Sequence, residues 1–555
     1  MKNIWLIAFV LLIQVGQAQW VDNPATNTLV HSNAGSHYLS KVATNPDGSY
    51  YFSWWGGSGN INMNLNYFSH AGENIWGSAV LVSGHAQNSW VDDYNMTSDH
   101  EGNAIIVFSD VREASTKNVV AYKLDSEGNQ LWGEDGIFFS LNESGDYNPI
   151  VVVNEDNTAF VIYSTAYNKG DFNKIIAHKI EADGTLPWGS DGKSYAGISE
   201  SWSFPQAVAN PDGGFSIGFF KETGTFPALQ RKIAMIRCDA DGNQMWSSPA
   251  LVQDLTGISA WDDIFIKGDG NGGAYHVWHD DRYFDNMAES YAQYVNPDGE
   301  TQWVENGVLL SSEAGFFQFY ALPAGVNQSG EFVVLWNKVN SNQSMAALMY
   351  QRISADGNLL ETNYGKIILP LSDQMQNGIN AEQMGDTTFY LYNYFLPSSS
   401  YYRSYNMVAL DATGQNIWGQ EVELCNAEID RSHPNMSGFY ENQAVVTWTD
   451  DHGIGNRTMA QNIFTDGALG SSPVNIEDVL MDQQQYYLSY NPVSHTILFK
   501  DIEANDELKV YNIQGQIIYR NQATNTVQLN KSGNGVFVGI LYRNGRVIER
   551  FKFVL

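Results

Sequence analysis

Alternating hydrophobic and polar positions divide most of the chain into short segments of period two, which predict β-strands separated by turns. One turn recurs in a fixed setting: acidic or polar residues, then a glycine, then in most copies a tryptophan four residues later. Successive glycines are 56 to 58 residues apart, which indicates an internal repeat. These glycines are Gly72, Gly128, Gly184, Gly242, Gly299, Gly357 and Gly414, and the tryptophans are Trp76, Trp132, Trp188, Trp246, Trp303 and Trp418.

A second turn runs in step with the first, and an aromatic residue follows its Gly or Asn by six positions. Examples are Gly48 with Trp54, Gly272 with Trp278 and Gly330 with Trp336. Two hairpins per repeat give four antiparallel strands, which is the content of a propeller blade. The period is longer than in the common WD40 and kelch blades, so neither family is assigned.

The last repeat is incomplete, because Asp466-Gly467 is not followed by the expected tryptophan and fourth strand. The missing piece lies at the other end of the chain, where Trp20 to Ser32 resembles the fourth-strand segments of other repeats. We therefore predict an all-β, eight-bladed β-propeller of four-stranded blades over residues 19–470, whose N-terminal strand closes the last blade and protects the sheet edges. A linear β-solenoid or a string of sandwiches is the alternative, but neither gains from a displaced first strand.

Residues 1–18 have the pattern of a signal peptide. Lys2 precedes an apolar run from Ile4 to Val15, and Gly16-Gln17-Ala18 suits signal peptidase. An uncleaved anchor is the alternative, but the apolar run is shorter than the roughly 20 residues that a membrane span requires. We expect the mature chain to begin at Gln19 and to contain no transmembrane segment.

A polar stretch over residues 471–487 is predicted to be a linker, and alternating strands over residues 488–555 predict a small β-sandwich. The motifs of this segment, in this order, resemble the type A sorting domain of the type IX secretion system of Bacteroidota. The matching residues are Asn491, Pro492, Val493, Tyr511, Asn512, Gly515 and Lys552. Tyr490 stands where the family usually has a first proline, and composition alone indicates only a small β domain.

This resemblance implies export across the outer membrane, recognition by the type IX secretion machinery, and removal of the domain or its exchange for a surface anchor. The expected location is therefore the medium or the outer-membrane surface. The segment carries eight basic and five acidic residues, whereas the whole chain has a net charge of −32, so the acidity belongs to the propeller. That charge argues against nucleic acid and anionic membranes as partners.

Candidate ligand-binding residues lie in the connections after the second strand, which open on one face of a propeller. Acids and bases recur there as Asp110 with Arg112, Asp280 with Arg282, and Asp450 with His452. They are able to bind anions or sugars or to hold neighbouring blades together, and their recurrence with the repeat favours the structural interpretation. The periodic tryptophans are predicted to pack between blades, whereas Trp55 and Trp261 fall outside the period and are better candidates for sugar stacking.

No linear motif for a nucleophile, a phosphate loop or a zinc site occurs, and no cofactor or metal is indicated. Lys267 to Gly272 has the oxygen-rich composition of a calcium loop, but it lacks the closing Glu of an EF-hand, which favours a tight hairpin. We expect a non-catalytic binding or adhesion propeller whose partner is an extracellular glycan or protein. The alternative is a polysaccharide lyase or glycoside hydrolase, which would show a deep axial cleft lined by non-repeating His, Tyr and carboxylate residues.

Overall fold

The structure is a computed structural model of the chain. The chain forms two compact units, Met1–Ser471 and Ser472–Leu555. The predicted signal peptide at residues 1–18 and most of the predicted linker, residues 471–485, lie outside the described residues. The structure describes residues 19–32, 35–57, 61–85, 94–112, 116–139, 145–166, 172–225, 228–259, 262–311, 313–362, 364–396, 402–451, 455–470, 486–491, 494–512, 517–529, 536–543 and 546–554.

The first unit contains a ring of four-stranded antiparallel sheets, and one short strand, β1 (Thr28–His31), precedes them all. In each blade the strands pair in chain order. Blade 1 contains β2 (Ser36–Thr44), β3 (Tyr50–Gly57), β4 (Asn62–Phe68) and β5 (Val80–Ser83). Blade 2 contains β6 (Asn95–Ser98), β7 (Ala104–Asp110), β8 (Asn118–Leu124) and β9 (Ile137–Phe138). Blade 3 contains β10 (Gly145–Val153), β11 (Ala159–Ala166), β12 (Lys174–Ile180) and β13 (Lys193–Tyr195). Blade 4 contains β14 (Ser201–Ala209), β15 (Phe215–Thr223), β16 (Gln230–Cys238) and β17 (Ala250–Gln253).

The remaining blades repeat this order until the last, which lacks a fourth strand of its own. Blade 5 contains β18 (Phe265–Gly268), β19 (Ala274–Asp280), β20 (Glu289–Val295) and β21 (Val308–Leu309). Blade 6 contains β22 (Phe316–Val326), β23 (Phe332–Asn340), β24 (Ala346–Ile353) and β25 (Lys366–Ser372). Blade 7 contains β26 (Asn377–Met384), β27 (Thr387–Phe395), β28 (Arg403–Leu410) and β29 (Val422–Cys425). Blade 8 contains β30 (Asp430–Met436), β31 (Gln443–Asp451) and β32 (Asn456–Phe464).

Strand β1 supplies the fourth strand of blade 8, pairing Thr28 with Ala460 and Leu29 with Met459. The Asn27 side chain fixes this junction by donating to the backbone carbonyl of Leu424 at 2.7 Å and to Gln461 at 2.8 Å. The eight-bladed propeller with an N-terminal closing strand is therefore confirmed. The first strand of the chain thereby completes the last blade, so every described blade has an outer fourth strand.

The periodic tryptophans pack between blades, as the repeat predicted. Each indole lies on the turn glycine of the following blade, and in six junctions its Nε1–H also donates to a backbone carbonyl of that turn at 2.7 to 3.3 Å. At the closing junction a Cβ on Gly72 would lie 2.7 Å from Trp20, so only glycine leaves room for the ring. Blade 6 has no such tryptophan, and Tyr350 lies against Gly414 in its place.

The first strand of each blade is innermost, because the first strands of neighbouring blades pack against one another around the axis. The chain then runs outward by antiparallel pairing, so the tight turn between the first and second strands lies on one face. The loops between the second and third strands and the connections between blades lie on the opposite face, called here the loop face. The apolar core lies between adjacent blades, where buried residues of successive sheets form shared clusters.

The second unit has two antiparallel sheets. One contains β33 (Tyr487–Asn491), β34 (Thr496–Phe499) and β37 (Thr526–Gln528), and the other contains β35 (Asp506–Asn512), β36 (Ile517–Gln522), β38 (Val536–Arg543) and β39 (Arg546–Val554). Apolar residues of both sheets, among them Ile497, Val510 and Phe551, form one buried cluster. Each sheet covers the apolar face of the other within this unit.

Both cysteines, Cys238 and Cys425, are buried free thiols. Within the described ranges no helix is long and apolar enough to cross a membrane.

Replacing Trp20 by alanine should destabilise the propeller, because the substitution empties the junction that joins blade 8 to blade 1. Removing a buried tryptophan typically costs about 3–5 kcal/mol of the free energy of unfolding. We expect a lower urea midpoint for Trp20→Ala than for the parent chain. Ile198→Ala, at a side chain that is 96% exposed, is the control and should leave the midpoint in place. Equal midpoints for Trp20→Ala and the parent would contradict the closing role of this residue.

Asp146, at the start of β10, should make the stability of the propeller depend on pH. Burial, only partly opposed by Thr165 and the Val119 backbone amide, raises its pKa to about 6. Because the pKa of Asp146 is raised in the folded state, its contribution to the stability of that state is fully present below the ordinary pKa of 3.8. This contribution is lost as pH rises through about 6. Asp146→Asn should therefore gain up to about 3 kcal/mol relative to the parent between pH 4 and 7. Urea denaturation across that range measures the difference, and an equal response from the exposed Asp298→Asn would refute the assignment.

Candidate functional site

A cleft of about 280 Å³ opens on the loop face, between the axial ends of blades 5, 6 and 7. The connection before β18 supplies Ser259, Asp262 and Asp263, and the end of β19 supplies His279. Blade 6 supplies Phe319 and Tyr320 from its innermost strand, and the start of β26 supplies Gly378 and Ile379. The cleft therefore combines residues from three successive blades, and its lining is not repeated around the ring.

A β-bulge in the innermost strand places the aromatic residue Tyr320 at this cleft. The register of β22 shifts between Phe319 and Leu322, and Tyr320 has a φ of 54°, although it is not a glycine. The same bulge, with the same left-handed backbone, recurs in blades 1, 3, 4 and 8. The residues at this position, with φ between 51° and 54°, are Leu39, Asn148, Phe204, Tyr320 and His433.

The backbone of the bulge therefore belongs to the scaffold, whereas the side chain on it differs in each of these blades. Bulges at the rim of a β-structure redirect side chains, and a left-handed non-glycine residue is energetically unfavourable unless its surroundings impose it. Tyr320 is 54% exposed in this strained position. A large, half-exposed aromatic ring at the mouth of a cleft provides a flat surface on which a ligand can stack.

Asp262 and His279 contact each other in the cleft. His279 Nε2 lies 2.9 Å from Asp262 Oδ1, and both side chains are largely buried. Asp262 also accepts the backbone N–H of Ser259 at 2.8 Å. Burial opposes ionisation of Asp262, but the hydrogen bonds from His279 and Ser259 outweigh it, so its pKa is lowered.

Asp263 has the opposite electrostatic environment. Burial and the neighbouring Asp262 charge raise its pKa above the ordinary value, with Arg231 and His279 opposing the shift. The cleft therefore contains two consecutive carboxyl groups whose pKa values are displaced in opposite directions. Such a pair can provide one ionised acceptor and one group that keeps its proton to a higher pH than an ordinary carboxyl group.

Arg231 holds the connection that carries both acids. Its Nε donates to Glu222 at 2.6 Å, and its Nη1 donates to the backbone carbonyls of Ser259 at 3.1 Å and Asp262 at 3.4 Å. The guanidinium lies against both the Phe204 and Phe220 rings, at 4.8 and 4.6 Å from their centroids. Because Arg231 is buried by these partners, it positions the loop and offers no positive charge to a ligand.

The predicted acid and base pairs lie in separate blades, and the structure does not bring them together. Asp110 pairs with Arg112 at 2.6 Å, and Asp280 pairs with Arg282 at 2.7 Å, each within its own loop and with the acid fully buried. Asp450 accepts the Trp448 indole N–H at 2.8 Å and lies 3.2 Å from Arg431 Nε. His452 lies outside the described residues. The geometry at these acids is that of a structural clamp, and their assignment as ligand-binding residues stays a prediction.

The two tryptophans proposed for sugar stacking also differ in their surroundings. Trp55 is 2% exposed and lies in the core between blades 1 and 2, where its ring meets Tyr94 and Phe108 edge to face. Trp261 lies outside the described residues, between Ser259 and Asp262 of the cleft in sequence. Of the sorting motif, Pro492, Val493 and Gly515 and the side chains of Asn512 and Lys552 also lie outside them. Asn491 ends β33, and Tyr511 lies near the end of β35.

Sequence reasoning missed Asp262, Asp263, His279 and Tyr320, although a signal was present. In four blades, the residue nine positions before the Gly or Asn of the turn between the first and second strands is the one on the bulge, namely Leu39, Asn148, Phe204 and His433. Counting nine positions back from Gly272 leads to Asp263. In blade 6 the count from Gly330 back to Tyr320 is ten, because β22 contains a second irregularity near Pro323. The available indication of a site was that this inner position recurs with the repeat while the residue type on it changes from blade to blade.

The first unit is therefore an eight-bladed β-propeller with a cleft near its axis, on the loop face. No protein family model matches the sequence, and no curated protein matches it either. Among solved structures, a polysaccharide lyase of family PL25, an ulvan lyase bound to a glucuronate–sulfated rhamnose saccharide, is 11% identical with a TM-score of 0.43, covering 83% of this chain and 98% of that one. The Dos1 propeller is 11% identical with a TM-score of 0.44, covering 79% and 95%. The propeller of the Trilobed protease from Pyrococcus furiosus is 10% identical with a TM-score of 0.38, covering 70% and 98%. At these identities the likeness concerns the fold alone.

Proposed function

We propose that this chain is an exported propeller that binds an extracellular glycan in the cleft formed by blades 5, 6 and 7. The observation that carries the proposal is the combination of an exposed aromatic ring, Tyr320, with two carboxyl groups in one cavity. Sugars present C–H faces that stack on aromatic rings and hydroxyl groups that donate to carboxylates. The cavity volume suits one or two sugar units.

The position of the cleft supports the same function. It lies at the axial end of the loop face, where side chains of several blades converge, while the repeated Trp–Gly contacts lie between the third and fourth strands, on the opposite face. The scaffold can therefore vary the cleft residues without disturbing the contacts between blades. Side chains that differ from blade to blade at a strained, repeated backbone position are typical of a specific site.

A polysaccharide-cleaving enzyme is the second candidate, and the cleft lining favours it directly. His, Tyr and carboxylate residues from different blades are the set expected of a lyase or a glycoside hydrolase. Asp263, with its raised pKa, would hold a proton for a leaving group, while ionised Asp262 would act as a base or keep His279 oriented. Release of oligosaccharides from a bound glycan, lost in Asp263→Asn, would favour the enzyme over the binding module.

Export by the type IX secretion system is part of the proposal. The C-terminal unit is compact by itself, and the described motif residues Asn491 and Tyr511 lie at or near strand ends, where a machinery could read them. Within it, residues 488–555 carry eight basic and five acidic residues, which also distinguishes this segment from the acidic propeller. The secretion machinery would then be the partner of the C-terminal unit, and the glycan would be the partner of the propeller.

Substitutions in the cleft should weaken glycan binding. A glycan array probed with the mature chain identifies a ligand, and titration calorimetry then compares variants. Tyr320→Ala should reduce affinity about tenfold, the value of one stacking contact, and Asp263→Asn should reduce it by roughly 10- to 100-fold through lost charged hydrogen bonds. Tyr364→Ala is the matched control, because Tyr364 is similarly exposed but lies between the third and fourth strands of blade 6, on the opposite face. Equal losses in Tyr320→Ala and Tyr364→Ala would refute the cleft as the site.

Removing residues 488–555 should trap the protein in the periplasm of a host with type IX secretion. Resistance of the trapped protein to proteolysis checks that the propeller is still folded. In the converse experiment, residues 472–555 fused to a periplasmic passenger should carry that passenger out of the cell. Continued appearance of the truncated chain in the medium would overturn the sorting assignment.

A further inference from the structure

The loop between β19 and β20 of blade 5 exposes two adjacent aromatic side chains beside the cleft. Tyr283 is 64% exposed and Phe284 is 70% exposed, on the same face of the propeller as the cleft. Large aromatic side chains at such exposure lose favourable burial and are uncommon without a partner. The pair therefore calls for a functional explanation.

The loop is held in place by its own hydrogen bonds. The Asp281 carboxylate accepts the backbone N–H groups of Asp285 and Asn286, both at 3.1 Å, and the Phe284 N–H donates to the Asp281 carbonyl at 3.2 Å. Phe284 has a φ of 54°, which is unfavourable for a bulky side chain. A strained backbone and a fastened loop keep both rings directed away from the core instead of letting them collapse onto it.

This loop is continuous with the wall of the cleft. The Asp281 N–H donates to the Gly257 carbonyl at 3.0 Å, and a Cβ on Gly257 would lie 2.7 Å from the Arg282 backbone, so glycine permits the close approach. Two residues after Gly257, Ser259 lines the cleft, and His279 of the cleft immediately precedes the loop in sequence. The cleft wall and the loop that carries the two rings are therefore joined by backbone contact.

The charges along this path exclude one class of glycan. The ionisable side chains among the described cleft residues are Asp262, Asp263 and His279, which lies against Asp262, with no Lys or Arg, and the loop adds Asp281 and Asp285. Arg282, the one base of the loop, pairs with buried Asp280 and lies 3.4 Å from the Tyr291 ring centroid. A uronate or sulfated chain would be repelled by these acids and by the net charge of −32.

We infer that Tyr283 and Phe284 form a second sugar-binding subsite and that the ligand is an uncharged glycan chain of several units, spanning the cleft and this loop. The inference rests on the proposed glycan-binding function. The cleft binds one end of the chain through Tyr320 and the two carboxyl groups, and the loop stacks on sugars further along it. Affinity should therefore grow with chain length until both surfaces are covered.

A length series of oligosaccharides from the identified glycan, titrated into the mature chain, tests the inference. The parent chain should bind the longest oligosaccharides at least about tenfold more tightly than the disaccharide, as one or two added stacking contacts would give. The double variant Tyr283→Ala/Phe284→Ala should lose this gain and keep the affinity of the parent for the disaccharide. Phe172→Ala, at an exposed aromatic beside the corresponding loop of blade 3, is the control and should keep the gain.

The outcomes separate this inference from the function on which it rests. Two results would overturn the second subsite alone. In one, Tyr320→Ala weakens binding but the affinity of the parent does not depend on oligosaccharide length. In the other, the double variant gains affinity with length as the parent does. Preference for a sulfated or uronate glycan, with affinity falling as salt rises, would overturn the uncharged ligand class. Failure of the parent chain to bind any glycan would overturn the proposed function and the inference together.

Discussion

The contact between a tryptophan ring and the turn glycine of the next blade is the interaction on which the propeller depends. Each blade buries one face against its neighbour, and at every junction except the one after blade 6, where Tyr350 takes this place, an indole packs on the turn glycine of that neighbour. The indole N–H also satisfies a carbonyl of the turn that it covers, so the contact combines apolar burial with a hydrogen bond. Because Trp20 provides this contact at the closing junction, blades 8 and 1 are joined by the same kind of contact as the other blades that carry a tryptophan.

A repeated contact on one face leaves the other face free to vary. The innermost strands keep a bulge with left-handed backbone in at least five blades, yet the residue on it ranges from Leu39 to Tyr320 and His433. The free energy of holding a non-glycine residue in that conformation, about 1 kcal/mol or more at each position, is offset by packing between blades. The result is a rigid rim whose side chains can be exchanged without altering the scaffold.

Buried charge in this propeller mostly serves positioning. Arg231 connects Glu222 of blade 4 with the backbone of the Ser259–Asp262 connection, and Asp280 holds both Arg282 and the Trp278 indole. Each of these ionised groups is paired within hydrogen-bond distance, as a low-dielectric interior requires. The polar and aromatic groups that remain at the cleft are consequently the carboxyl groups of Asp262 and Asp263, the His279 imidazole and the rings of Phe319 and Tyr320.

The sequence by itself determined the repeat, the four strands of each blade, the eight blades and the closing strand. All of these follow from local signals: alternation of apolar residues, turns that need Gly or Asn, and a tryptophan at fixed spacing. Only the tertiary structure decided the site, because Asp263, His279, Tyr320 and Ile379 are far apart in sequence and meet through the curvature of the ring. It also placed Trp55 in the core and paired Asp110 and Asp280 within their own loops, since burial depends on which blade packs against which. Periodicity specifies the contacts that recur, whereas a cleft is made of the side chains that do not.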